Sequence, residues 1–185
     1  MALRKLKFTL PFAPLANKET MHTTKGFSYT PKEKKDYMKL CASTMRNFKG
    51  RFAGAKCVRL TILFVCERPT LCPEGIPKAL WKSLSLQFYK SSRPDADNYL
   101  KPLQDSMSNH IIEQTKNKDK EVIKRIRGAN IIDDDAVLVS LRIDKVYRRI
   151  DQSPQIQIKL QELNNIYEPK SKSRVVSREG KFTLV

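Results

Sequence analysis

Apolar and polar residues alternate along four stretches of the chain, and alternation with a period of two is typical of half-buried β-strands. These stretches cover residues 6–10, 58–66, 137–147 and 156–160. Each places apolar side chains on one side and charged or amide side chains on the other. We therefore predict four strands of a sheet that buries one face.

The segments between these predicted strands include two with the residue spacing of α-helices. Thr30, Pro31 and Glu33 match a capping box with proline at the first helical position. The apolar residues that follow recur at helical intervals, at Tyr37, Cys41, Met45 and Phe48. A second helix is predicted from about Asn98 to Ser108.

The charged segment 111–130 is predicted to be an insertion with one helical stretch, residues 118–127, closed by Gly128. The element order is then β-α-β-α-β-β plus the insertion. This order predicts an α+β fold, a small mixed or antiparallel sheet with two main helices on one face. We expect one domain over residues 1–163 and a basic, flexible tail over residues 164–185.

The net charge of the chain and its distribution indicate what kind of partner the protein binds. The 185 residues carry 36 Lys and Arg against 19 Asp and Glu, a net charge of +17. The excess is +11 over residues 1–60 and +5 over residues 145–185, while the middle is nearly neutral. A positive excess of this size favours a nucleic-acid partner, because each neutralised phosphate releases counterions.

The sequence disfavours a membrane protein and a protein built around zinc or disulfide bonds. No apolar run approaches the roughly 18–20 residues that span a bilayer, and no amphipathic basic helix suggests a membrane surface. The four cysteines form no C-x-x-C pair and only two histidines are present, so a zinc cluster or disulfide framework is not expected. We expect a cytoplasmic protein.

Six of the ten aspartates fall in two short regions of this basic chain. They are Asp95, Asp97 and Asp105, then Asp133, Asp134 and Asp135. Carboxylates repel phosphate unless a cation lies between them, and Mg²⁺ or Mn²⁺ is the natural cation for oxygen ligands. If 97–105 is helical, Lys101 shares one face with Asp97 and Asp105, where it orients a carboxylate or offsets charge on a phosphoryl oxygen.

A structural interpretation stays open for both regions. Asp and Asn are favoured helix caps and turn residues, so either acidic region alone is consistent with capping and solvated turns. In that case the chain is a non-catalytic basic DNA- or RNA-binding module. Spacing and composition do not separate the two interpretations.

The run from Arg93 to Asp105 (RPDADNYLKPLQD) resembles the signature of the RusA family of Holliday junction resolvases, Asp-x-Asp-Asn-x-x-Lys followed by a helical Asp. Residues 132–139 (IDDDAVLV) resemble its second motif, in which an Asp-Asp-Ala run opens a strand. The proline-rich run LPFAPLANK at 10–18 is similar to the loop after the family's first strand.

The resemblance implies a homodimeric, Mg²⁺- or Mn²⁺-dependent endonuclease of a bacterial or phage-infected cell that resolves four-way DNA junctions by paired nicks. Asp95, Asp97 and Asp135 would be the catalytic metal-binding acids and Lys101 the catalytic lysine. Asp134 would assist in metal binding, and Asp105 and Asp133 would be supporting residues. Arg93, Lys90 and Lys18 flank this site and are predicted DNA contacts.

Three departures from the family pattern affect these expectations. Pro102 directly follows Lys101, so we predict that the helix begins at or just after Asn98. The gap from Asp105 to Asp134 exceeds the family's short turn, so Asp133 is an alternative to Asp135. The basic tail has no family counterpart. A metal-dependent nuclease acting on flaps, forks or RNA is a further alternative.

Overall fold

The structure is a computed structural model of the chain, and it describes residues 3–16, 21–22, 28–83, 86–117 and 121–164. The predicted tail lies outside the described residues from position 165 onward. The elements in chain order are β1 (Lys5–Leu10), β2 (Met21–His22), β3 (Ser28–Tyr29), α1 (Lys32–Met45), β4 (Val58–Cys66), α2 (Lys78–Trp81), α3 (Ala96–Met107), β5 (Ile111–Lys116), β6 (Val122–Arg127), β7 (Leu138–Tyr147) and β8 (Gln155–Glu162).

Four strands form the main sheet in the order β1-β8-β4-β7. β8 pairs antiparallel with both β1 and β4, whereas β4 and β7 pair in parallel. The sheet is therefore mixed, and the predicted α+β class is confirmed.

Both main helices cover one face of this sheet. Inward side chains of α1 and α3 belong to the same buried cluster as the inward side chains of β4 and β8. Leu60, Ile62, Phe64, Ile156 and Ile158 are the strand residues at its centre. The other face carries polar side chains such as Arg59, Ser140, Arg142 and Lys159.

Both helices begin one or two residues away from the predicted starts. Pro31 takes the N-cap position of α1 without a side-chain cap, so the predicted capping box at Thr30 is wrong. Asp95 takes the N-cap position of α3, so the prediction of a start at Asn98 is also wrong. Pro102 then lies inside α3 and leaves one helical hydrogen bond unmade. Burial of the apolar face of α3 against the sheet offsets this loss.

The predicted helix over residues 118–127 is wrong. β5 and β6 form a separate antiparallel hairpin that contacts α1. The β-branched residues Val122, Ile123 and Ile126 lose side-chain freedom in a helix and favour an extended strand.

The described helices include none that is long and apolar enough to cross a bilayer.

Candidate active site

Helix α3 presents a line of charged side chains. Asp97, Lys101 and Asp105 follow one another at intervals of four residues, which places them on one face of the helix. Nζ of Lys101 lies 2.9 Å from Oδ1 of Asp105, whose side chain is only 13% exposed. A largely buried carboxylate therefore holds the ammonium of Lys101 in position.

Backbone hydrogen bonds bring the second acidic region to the same place. The N–H groups of Ala129 and Ile131 donate to the carbonyls of Ser106 and Met107 at the end of α3, at 2.7 and 2.8 Å. The carbonyl of Ile131 in turn accepts from the N–H of Phe52, at 2.9 Å. Ile131 and Ile132 are fully buried, so they anchor the chain directly before the three aspartates.

Lys101 connects the two acidic regions. Its Nζ lies 3.1 Å from Oδ2 of Asp135 while it also contacts Asp105, so the two carboxylate oxygens lie no more than about 6 Å apart. The hydrogen bond from Lys101 lowers the pKa of Asp135, and the carboxylates of Asp105 and Asp135 raise the pKa of Lys101. All three groups line one depression, together with Asp133 and Asp134.

Asp133 and Asp134 each already accept a backbone hydrogen bond. Oδ2 of Asp133 accepts from the N–H of Gly54 at 2.7 Å. Oδ1 of Asp134 accepts from the N–H of Ala136 at 2.8 Å and caps the short 3-10 turn at Asp135–Val137. Asp135 differs from both in that its carboxylate also pairs with the ammonium of Lys101.

Asp95 and Asp97 lie at the first turn of α3, outside the residues that line this depression. Asp95 occupies the N-cap position but makes no side-chain capping hydrogen bond. Oδ1 of Asp97 accepts from the N–H of Asn98 at 2.9 Å. Asp97, Asp133 and Asp134 thus make the backbone hydrogen bonds that the structural alternative expects, whereas Asp95 does not.

Two lysines hold the loop that leads into Asp95. Nζ of Lys90 donates to the carbonyls of Ser92 and Arg93 at 2.9 and 2.6 Å. Nζ of Lys145 donates to the carbonyls of Ser92 and Pro94, both at 2.8 Å. Burial, together with the charge of Lys145, lowers the pKa of Lys90.

The three predicted DNA-binding residues differ in what their side chains contact. The ammonium of Lys90 bonds to its own loop, the side chain of Arg93 is exposed, and Lys18 lies outside the described residues. Sequence reasoning missed Lys145. The sequence showed a lysine at a position of the alternating pattern where apolar residues are expected. Lys145 lies on the same side of β7 as Leu141, Ile143 and Tyr147.

The described residues include no group of three or more acidic, cysteine or histidine side chains arranged to hold a metal ion. The donor chemistry nevertheless suits a hard divalent cation, because every acid here offers carboxylate oxygens. Lys101 lies between two of those carboxylates. Its ammonium is the cation that balances them in this structure.

Comparison with known proteins adds one positive finding. The family model of endodeoxyribonuclease RusA matches residues 11–128, and a search of curated proteins gives no match. The matched region contains Asp95, Asp97, Lys101 and Asp105 and ends before the second acidic region, whose link to them is the contact of Asp135 with Lys101. Because the match covers more than half of the sequence, this chain belongs to the RusA family of endodeoxyribonucleases.

Proposed function

We propose that this protein is a divalent-cation-dependent endonuclease that resolves four-way DNA junctions by paired nicks. The observation that carries this proposal is the contact of Lys101 with both Asp105 and Asp135. This contact joins Asp105 of α3 to Asp135 before β7 in a chain whose net charge is +17. Membership of the RusA family supports the same reaction and substrate.

Asp95, Asp97 and Asp135 are the proposed ligands of Mg²⁺ or Mn²⁺, with Asp134 assisting. A bound divalent ion supplies an activated water and stabilises charge on the scissile phosphate. Asp135 would hold the ion with the carboxylate that now accepts from Lys101. Lys101 would keep Asp105 as its partner, which would hold the ammonium near the phosphate.

The lysines of the site and Asp105 do not bind the metal ion in this proposal, and each places a charge or a backbone segment. Lys101 neutralises developing negative charge on a phosphoryl oxygen, a role that requires a cation fixed before the reaction begins. Asp105 fixes it, with a side chain that is largely buried. Lys90 and Lys145 hold the backbone of residues 92–94 and so set the entry of Asp95 into the site.

A four-way junction has approximate two-fold symmetry, and two symmetric nicks require two active sites. The proposal therefore includes a homodimer. Sedimentation of the full chain alone and with a junction tests this part, and a complex with one chain per junction would contradict it.

Cleavage of synthetic DNA tests the reaction. Four-way, three-way and linear duplex substrates are incubated with the wild-type protein and with Asp95→Asn, in Mg²⁺, in Mn²⁺ and in EDTA. The proposal expects symmetric nicks in the four-way junction only, a requirement for the divalent ion, and loss of cleavage in the variant. Equal cutting of all substrates would indicate a different nuclease, and binding without any cutting a non-catalytic module.

A further inference from the structure

A second depression, which we call the basic depression, adjoins the acidic one. Arg46, Lys49, Arg125 and Arg127 line it, and none of its lining residues is acidic. Asn109 lines both depressions. The basic depression therefore begins where the candidate active site ends.

The hairpin formed by β5 and β6 supplies half of these cations. Arg125 and Arg127 are two residues apart on β6, so their side chains leave the strand on the same side. Nη1 of Arg127 donates to the carbonyl of Asn109 at 3.3 Å, which ties the guanidinium to the boundary between the two depressions.

The end of α1 supplies the other half. Arg46 follows the last residue of the helix, and Lys49 lies three residues later. The N–H of Gly50 donates to the carbonyl of Asn130 at 2.8 Å, so this turn is bonded to the segment that follows the hairpin. That segment leads to Asp133, Asp134 and Asp135, which fixes the distance between the cations and the acids.

The charges in this depression lack acidic partners. All four side chains are exposed, and among the described residues none of them makes an ion pair. By contrast, Arg4, Lys39 and Arg148 each contact a carboxylate within 3 Å. Four neighbouring cations that repel one another are stabilised by a bound anion with several charges.

We propose that the basic depression binds backbone phosphates of the DNA that enters the acidic depression. This inference rests on the proposed function, since it identifies how that same site receives its substrate. Arg side chains suit the role because their planar guanidinium groups bond phosphate oxygens in pairs. The contacts read no base, so they position the substrate without sequence preference.

Equilibrium binding of a fluorescent four-way junction in EDTA tests the proposal. The variant Arg125→Gln/Arg127→Gln is compared with Lys32→Gln/Lys34→Gln, which removes the same charge at the opposite end of α1. We expect the first variant to bind about tenfold more weakly, with a salt slope lower by roughly 2, because each lost phosphate contact removes about 0.9 from the slope. Equal losses in the two variants would overturn the proposal.

Single methylphosphonate substitutions locate the contact. A neutral linkage is moved along the strand on either side of the cleavage site, and binding is measured for each position. The proposal expects positions that weaken wild-type binding but leave Arg125→Gln/Arg127→Gln unaffected. If every position affects both proteins equally, the basic depression does not contact the backbone.

Two further measurements keep the result clear. If thermal unfolding shows that the first variant does not fold, Arg46→Gln/Lys49→Gln replaces it, because these residues lie outside the hairpin. Asp95→Asn separates this inference from the proposed function. Wild-type cleavage by Asp95→Asn would refute the proposed metal site while leaving the phosphate contacts measurable in the same binding experiment.

Discussion

Nζ of Lys101 lies 3.1 Å from Oδ2 of Asp135, although 34 positions separate the two residues in the chain. The same ammonium lies 2.9 Å from Oδ1 of Asp105. A single cation thus links an acid of α3 to an acid that precedes β7.

Lys101→Gln is expected to lower the single-turnover cleavage rate by at least about 100-fold, because a fixed charge near the phosphate is lost. The Lys101 side chain is 52% exposed, so we expect a change of only about 0.5 kcal/mol in the free energy of unfolding. Rapid quench and urea denaturation measure the two effects. Lys78→Gln on α2 is the control, and unchanged cleavage by Lys101→Gln would contradict the assigned role.

Asp95→Asn and Asp133→Ala are expected to affect different properties. Asp95 makes no capping hydrogen bond, so its loss should reduce cleavage by about 100-fold or more while the protein remains folded and binds the junction. Asp133 accepts from the N–H of Gly54, so its removal should lower the free energy of unfolding by about 1 kcal/mol. Reversed outcomes would make Asp133 the metal ligand.

Lys145→Met is expected to loosen the loop before Asp95, because both hydrogen bonds to the carbonyls of Ser92 and Pro94 are lost. Hydrogen exchange of residues 92–95 should become faster, and the cleavage rate should fall with little change in junction affinity. Lys159→Met is the control on the opposite face of the sheet. A fall in affinity alone would indicate that Lys145 contacts DNA.

Gly128→Ala tests the packing of the residue after β6 against the end of α3. A methyl group at this position would meet the carbonyl oxygens of Ser108, Asp105 and Ser106, the last two at 2.7 and 2.9 Å. We expect a loss of about 1–3 kcal/mol in the free energy of unfolding, as for other overpacked sites. Gly75→Ala is the comparison in urea denaturation, because its added methyl group meets nothing and only the strain of a φ of +80° lowers its stability.

Glu162→Gln tests the ion pair of Glu162 with Arg4. Glu162 accepts from Nε and Nη2 of Arg4 at 2.7 and 2.8 Å, and the hydrogen bonds lower the pKa of Glu162 to about 2. A lowered carboxylate pKa stabilises the fold above the unfolded value of about 4.3, and this stabilisation is lost as the pH falls toward 2. The Tm of wild type should exceed that of Glu162→Gln at pH 7, and the difference should shrink below pH 4.

Local patterns predicted much of the fold. Alternating positions located β1, β4, β7 and β8 within a residue or two, because one buried face imposes a period of two. The spacing of Lys101 and Asp105 was also readable, since residues four apart on a helix meet regardless of the rest of the fold.

The hairpin and the helix starts were not readable in this way. Residues 122–127 carry charges at spacings that also suit a helix, and the pairing of β6 with β5 decided the matter. The start of α3 followed the burial of Tyr99 and Leu103 rather than the preference of Pro102.

The sequence by itself determined the four strands of the main sheet, the two main helices and two acidic regions within a basic chain. Only the tertiary structure decided which acid before β7 meets Lys101, because that contact depends on where the chain returns after the hairpin. The buried Ile131 and Ile132 and their backbone bonds to α3 fix that return. Contacts between distant residues follow from packing of the whole chain, which no local pattern encodes.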